Sequence, residues 1–153
     1  MTTDRAGRFR AKLRLGPSRR VKALFAGTRT ARPAASRGLK VVARDRVRFR
    51  VSPGLLVNGG AATMAGRVTG RGASQPPGGK LVAIQYFDPS RDRWRPVEVI
   101  RADRHGRFRY RYRFRTIAYA QKILFRAVSL PEAGWPFETT ASHRRPVIVY
   151  PAG

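Results

Sequence analysis

Cysteine is absent from the 153 residues, and its absence removes disulfides, thiolate metal sites and cysteine nucleophiles. Negative charge is scarce: 8 Asp plus Glu stand against 33 Lys plus Arg, a net charge of +25. Histidine occurs only at His105 and His143, which leaves little for a metal-ligand set or a general base. Long apolar runs are missing too. Leu55-Leu56-Val57 and Val147-Ile148-Val149-Tyr150 are far too short to span a bilayer. Met1 is followed by charged residues rather than the apolar stretch of a signal peptide. No segment carries a convincing helical period.

What remains is apolar and cationic. The hydrophobic fraction of 42% is enough to bury a core, in one ordinary domain or one and a half small ones. Of the cations, 28 are arginine and 5 lysine. They imply either a polyanionic partner or arginine filling exposed strand positions, where its long stem shields apolar surface. Their spread along the chain, with no basic tail, favours the second explanation.

The most regular stretch is Arg107-Phe108-Arg109-Tyr110-Arg111-Tyr112-Arg113-Phe114-Arg115, nine residues in which arginine and aromatic alternate. A period of two predicts a strand with Phe108, Tyr110, Tyr112 and Phe114 on one face and five arginines on the other. Burying four aromatics is worth on the order of 15 kcal/mol before entropy is subtracted. Arginines about 7 Å apart repel by only roughly 0.6 kcal/mol per pair in water. The aromatic face therefore decides the orientation.

Three blocks recur at a separation near one hundred residues. Asp4-Arg5-Ala6-Gly7-Arg8-Phe9-Arg10 answers Asp103-Arg104-His105-Gly106-Arg107-Phe108-Arg109, and Ala11–Leu15 continues the alternation. Val21–Ala26 answers Gln121–Arg126 through Lys22/Lys122, Leu24/Leu124 and Phe25/Phe125. Ala35-Ser36-Arg37 and Lys40–Ala43 answer Ala141-Ser142-His143 and Val147–Tyr150. The order and spacing imply an internal repeat. Residues 1–44 are then a three-strand C-terminal half-copy and residues 45–153 a complete unit. Three strands make a poor core, so the chain is expected to be a truncated piece of a longer tandem protein. Unpaired edges in the half-copy predict aggregation or dimer formation.

The complete unit reads as seven strands. They lie at 45–51, 62–68, 80–87, 94–101, the ladder at 107–115, 121–128 and 147–150. Turns are expected at Ser52-Pro53-Gly54, Asn58-Gly59-Gly60, Asp88–Asp92 and Asp103–Gly106, with a loop at 70–79 and another around Trp135-Pro136-Phe137. Seven short strands in about 105 residues predict an all-β, antiparallel sandwich.

Certain residues carry a family likeness: Gly79-Lys80-Leu81-Val82-Ala83-Ile84-Gln85, Trp94, Asp103-Arg104-His105-Gly106-Arg107-Phe108, Leu124–Ala127, and Trp135-Pro136-Phe137 before Ser142. The unit resembles the Ig-like or fibronectin-type β-sandwich repeats of secreted actinobacterial proteins. The prealbumin-like domain of carboxypeptidase regulatory segments is a close competitor. The likeness implies an extracellular or cell-surface spacer or adhesive module in tandem with further repeats of the same parent protein. It implies no cofactor and no small-molecule substrate. The chain departs from antibody domains in lacking the cysteine pair, and from secreted proteins in lacking a leader.

Candidate sites are few. His105 and His143 fall in expected turns or loops, and adjacency of Ser142 and His143 does not make a catalytic dyad. Asp88 and Asp92 flank a turn beside Arg91 and Arg93, which fits turn capping better than calcium. Gly66–Gly72 and Gly78-Gly79-Lys80 are glycine-rich but lack the Lys-Ser/Thr ending and helix of a phosphate loop, and both read as turns. The sequence thus points to a non-catalytic structural or adhesive module. The alternative is a polyanion-binding module for nucleic acid or an anionic cell-wall polymer. Its contacts would be Arg107, Arg109, Arg111, Arg113 and Arg115, and its aromatics are buried away from any base.

Overall fold

A computed structural model describes residues 3–152; residues 1, 2 and 153, the outermost positions of the two expected units, lie outside it. The described chain contains twelve strands and no α-helix. Eight strands build a sandwich of two sheets. β5 (Arg46–Ser52), β7 (Ala61–Thr69) and β10 (Arg107–Arg113) form one sheet in the order β10-β7-β5. The other has the order β6-β12-β11-β8-β9, from β6 (Leu55–Val57), β8 (Leu81–Asp88), β9 (Arg93–Arg101), β11 (Gln121–Ser129) and β12 (Arg145–Tyr150). The expected seven strands are all present. β6 is the eighth, too short for its alternation to show in the sequence, and it pairs parallel to β12 in an otherwise antiparallel fold.

The core lies between the sheets. Val47, Phe49, Met64, Val68 and Phe108 face Val82, Ile84, Phe125, Ala127, Val147 and Val149. Phe108 and Phe114 are buried and Tyr110 and Tyr112 half-buried, so the aromatic face of the ladder points inward as expected. Tyr112, Phe114 and Phe125 meet edge-on or tilted at 4.8–6.2 Å. Burial raises the Tyr112 phenol above its ordinary pKa.

Gly66 leaves room for a ring contact across the three-stranded sheet. It sits between Phe49 and Phe108 in register, and their rings stack across it at 6.4 Å. A Cβ at this position would lie 2.4 Å from the Phe108 ring and 2.1 Å from the Arg48 carbonyl oxygen. The expectation of a turn at Gly66–Gly72 is corrected accordingly. Gly66 to Thr69 continue β7, and the chain turns only from Gly70.

A second correction concerns Lys80, which reads in sequence as turn or strand start. Its side chain is fully buried. The ammonium donates to the Leu130 carbonyl and to Glu132 Oε2 (3.2 Å), and lies 5.7 Å from the Trp135 ring centre. Glu132 also accepts from the Leu81 N–H (3.0 Å) and from Arg101 Nη1 (2.7 Å). Trp135 in turn donates its indole N–H to buried Asp45 at 2.8 Å, closing the sandwich end.

Residues 3–44 do not form the expected three strands. They form four short ones: β1 (Arg19–Val21) pairs with β4 (Leu39–Val41), and β2 (Leu24–Phe25) with β3 (Ala34–Ala35). The ladder's counterpart at 8–15 is no strand at all. Two bond patterns nevertheless occur twice. Asp4 accepts from the Ala6 and Arg8 N–H groups at 2.9 and 2.8 Å, and Asp103 from those of His105 and Arg107, both at 2.8 Å. Gly7 and Gly106 have φ of 72° and 73°. Likewise Ser36 Oγ accepts from the Ala23 N–H and donates to the Arg37 carbonyl, while Ser142 Oγ accepts from Ala127 and donates to His143. These bonds align Ala23 with Ala127, so Val21 rather than Phe25 occupies the place of Phe125. The loop after the ladder is longer than the loop after Leu15, and a constant offset misplaces that block.

Burial alone would raise the Glu132 pKa, but the Leu81 N–H, Arg101 and Lys80 outweigh it and hold the carboxyl down at about 2. Its unfolded value is near 4.5, so its ionised form stabilises the fold fully above about pH 5 and stops doing so as pH falls towards 2. In urea unfolding across this range, Glu132→Gln is expected to cost about 3 kcal/mol at pH 7, because it leaves the Lys80 charge buried, and to flatten the acid loss of stability. An unchanged pH profile would contradict the role given to Glu132.

Candidate polyanion-binding face

Alternation in three paired strands puts eight arginines on the outer face of the β10-β7-β5 sheet. β10 contributes Arg107, Arg109, Arg111 and Arg113, all exposed. β5 contributes Arg46, Arg48 and Arg50, and β7 contributes Arg67. Register aligns them in rows: Arg107, Arg67 and Arg48 lie across the sheet in one line, and Arg109, Ala65 and Arg50 in the next. Below these come Arg111, Thr63 and Ser52, then Arg113 opposite Ala61.

The face is therefore a trough. Its floor is the small side chains Ala65, Thr63 and Ala61 of β7. One wall is the β10 arginine row, with neighbours about 7 Å apart along the strand; the other is Arg48 and Arg50, about 10 Å away across two strand spacings. Grooves bounded by Arg50, Ala65 and Arg109 run along it. Arg67 closes the upper end, its Nε donating to the His105 carbonyl at 2.9 Å.

Among the described residues none of these eight arginines forms an ion pair, although Asp103, in the turn before β10, attracts Arg107. The ion pairs lie elsewhere: Arg44–Glu138, Arg95–Asp88, and Lys80 and Arg101 with Glu132. Arginine guanidinium groups so placed present forked donors to phosphate, sulfate or carboxylate oxygens. The aromatics lie on the other side of the sheet, so the face offers charge and hydrogen bonds but no stacking surface.

Four of the five arginines expected from the sequence are on this face. Arg115 is not: the strand ends at Arg113, Phe114 bonds to Gly60, and Thr116 turns the chain with φ of 61°. The contributions of Arg46, Arg48, Arg50 and Arg67 escaped the sequence reading. The Arg46-Val47-Arg48-Phe49-Arg50 alternation was the available signal, but pairing of β5 and β10 through β7 was not readable from it.

The remaining candidates resolve into structure. Ser142 commits its hydroxyl to backbone groups of Ala127 and His143. His105 sits in the exposed turn capped by Asp103, whose pKa is lowered by the Arg107 N–H and then that of His105. Asp88 accepts from the Ser90 hydroxyl (2.6 Å) and N–H (3.1 Å) and meets Arg95 at 3.5 Å, as turn capping requires. The Ser90 hydroxyl is the main cause of its lowered pKa. Among the described residues no three His, Asp or Glu side chains cluster to hold a metal. On the opposite sheet, Arg126 stacks 4.1 Å from the Trp94 ring centre and donates to Gln85.

No protein-family model and no curated protein matches this chain.

Eight like charges on one face repel, and salt screens them. The triple substitution Arg109→Ser, Arg111→Ser, Arg113→Ser is expected to leave urea stability within about 0.5 kcal/mol per site, or to raise it. Added salt should stabilise the parent chain more than the triple variant. A large loss of stability in the variant would show that the arginines hold the fold rather than face a ligand.

Proposed function

We propose that this chain is a non-catalytic adhesive β-sandwich module that grips an anionic polymer along the arginine-walled trough of its three-stranded sheet. The observation that carries this reading is the trough itself: two arginine walls, a floor of small residues, and no ion pair on the face among the described residues. Composition alone would scatter cations over the surface. Register instead gathers eight of them on one face and leaves a clear channel between the two walls.

Recognition would be of charge density rather than of base or sugar identity, because the aromatics face the core. Nucleic acid and an anionic cell-wall polymer are both candidate ligands on these terms. Residence in a larger secreted or cell-surface protein follows from the resemblance to Ig-like and fibronectin-type repeats, carried by Gly79–Gln85, Trp94 and Trp135-Pro136-Phe137.

Binding to a fluorescent single-stranded oligonucleotide should weaken linearly on a plot of log affinity against log salt. Removing Arg109, Arg111 and Arg113 together should reduce that slope by about 2, at about 0.7 per phosphate contact. Ala65→Glu, which puts a carboxylate on the floor, should weaken binding as well. The same number of serine substitutions at exposed Arg29, Arg32 and Arg37 should have a much smaller effect. Equal losses from the two triple variants would mean that net charge, and not the trough, does the binding.

A further inference from the structure

Residues 3–44 expose apolar side chains at the places where the sandwich buries them. With the two Asp-capped turns aligned in sequence, Phe9 answers Phe108 and Leu15 answers Phe114. Phe9 is 47% exposed against 4% for Phe108, and Leu15 74% against 1% for Phe114. With the two serine-bonded corners superimposed, Leu24 takes the place of Val128, at 79% against 7%. Strand register agrees with this alignment. Arg19 pairs with Val41 as Ile123 pairs with Val147, and Leu24 pairs with Ala35 as Val128 bridges Ala141.

The edges differ in the same sense. β11 pairs on one side with β12 and on the other with β8. Its counterpart β1 pairs with β4 alone among the described residues. An open edge beside uncovered apolar side chains is a site for strand addition.

The sandwich itself specifies the occupant. In the sandwich, Phe108 stacks on Phe49 of β5, the Phe114 backbone bonds to Gly59 and Gly60, and Val128 pairs with Ala83 of β8, so the neighbours missing from residues 3–44 come from β5 to β9, residues 46–101. A second copy of this chain cannot satisfy the need. Each copy carries two closing halves, 3–44 and 103–150, but one opening half, so any assembly of copies leaves half of the closing halves uncovered.

We propose that residues 3–44 are the closing half of a further β-sandwich of the same kind, and that their apolar face and the open edge of β1 take the opening half of another repeat of the parent protein. That opening half has strands of the β5 to β9 type: one alternating arginine with apolar residues, as in β5, and one apolar on both faces, as in β8. The strand resembling β8 lies along β1. Those resembling β7 and β5 draw Arg8–Leu15 into a ladder, as β7 does with β10.

The test joins a second copy of residues 45–101 ahead of Thr3 of the full chain, since Thr3 holds the position of Ala102. Amide hydrogen exchange over residues 8–43 is expected to slow by about a hundredfold or more relative to the parent chain. Unchanged exchange there, with 45–152 protected, overturns the proposal. A fusion whose added segment carries Val82→Asp and Ile84→Asp should give no protection; equal protection would mean that tethering rather than sandwich completion is at work. If the parent chain alone gains the same protection at high concentration, a second copy covers the face and the proposal fails. Should the fusion precipitate, a 45–101 polypeptide added to the parent chain provides the same strands, and lack of protection over 8–43 in that mixture overturns it equally.

Discussion

Phe49 and Phe108 meet over Gly66, and that contact sets the register of the three-stranded sheet. The rings approach because β7 offers no side chain between them. Their alignment also brings Arg48, Arg67 and Arg107 into one line on the opposite face. A slip of one residue in either pairing would turn every arginine of that strand towards the core and every apolar residue towards water. Core packing and the cationic face are thus one constraint seen from two sides. The energy lies on the aromatic side, and the arginine arrangement is inherited from it.

Scarcity of carboxylates then determines where charge can be neutralised. Three of the eight, Asp4, Asp88 and Asp103, cap turns. Asp45 accepts the Trp135 indole, and Glu132 holds buried Lys80 together with Arg101. Glu138 pairs with Arg44. These acids occupy turns, the sandwich end and the junction with residues 3–44, and each has a partner there: backbone N–H groups, the Trp135 indole, buried Lys80 or exposed Arg44. None of them lies on the outer face of β10-β7-β5. Among the described residues, Arg67 alone of the eight commits a guanidinium N–H, its Nε, to the protein, at the His105 carbonyl.

The sandwich class and seven strands were legible in the sequence because strands such as β5 and β10 carry a two-residue period, β8 is a nearly unbroken apolar run, and glycine, proline or aspartate turns separate the strands. The inward aromatic face of 107–115 was legible for the same reason. Pairing was not. Which strand lies beside β10 depends on non-local contacts, so the Arg46, Arg48 and Arg50 wall stayed hidden although its alternation is plain. β6 is too short to show a period. The burial of Lys80 depends on Glu132, fifty-two residues away, and nothing local announces it. At the other end of the ladder, Arg115 continues the alternation perfectly but leaves the sheet, since period two describes a strand's faces and not where its pairing stops.

If residues 3–44 are the closing half of a further sandwich, as proposed, that bears on the trough as well as on the fold. Arg8, Arg10, Lys12 and Arg14 stand in the sequence where Arg107, Arg109, Arg111 and Arg113 stand, so the cationic row belongs to the closing half of the unit. Exposed at 8–15, that row has no sheet to hold it in line, and it forms no strand. Once β7-like and β5-like strands are paired beside it, the floor and the second wall arrive together. On that proposal, completion of the sandwich and completion of the trough would be the same event. Successive units along a parent chain would place one trough after another on a shared polymer. Modest contacts of a few arginines each would combine through effective concentration rather than through any tighter single site. Recognition of charge density alone, as proposed, would suit that mode of binding, because a repeating polyanion offers every trough an equivalent segment.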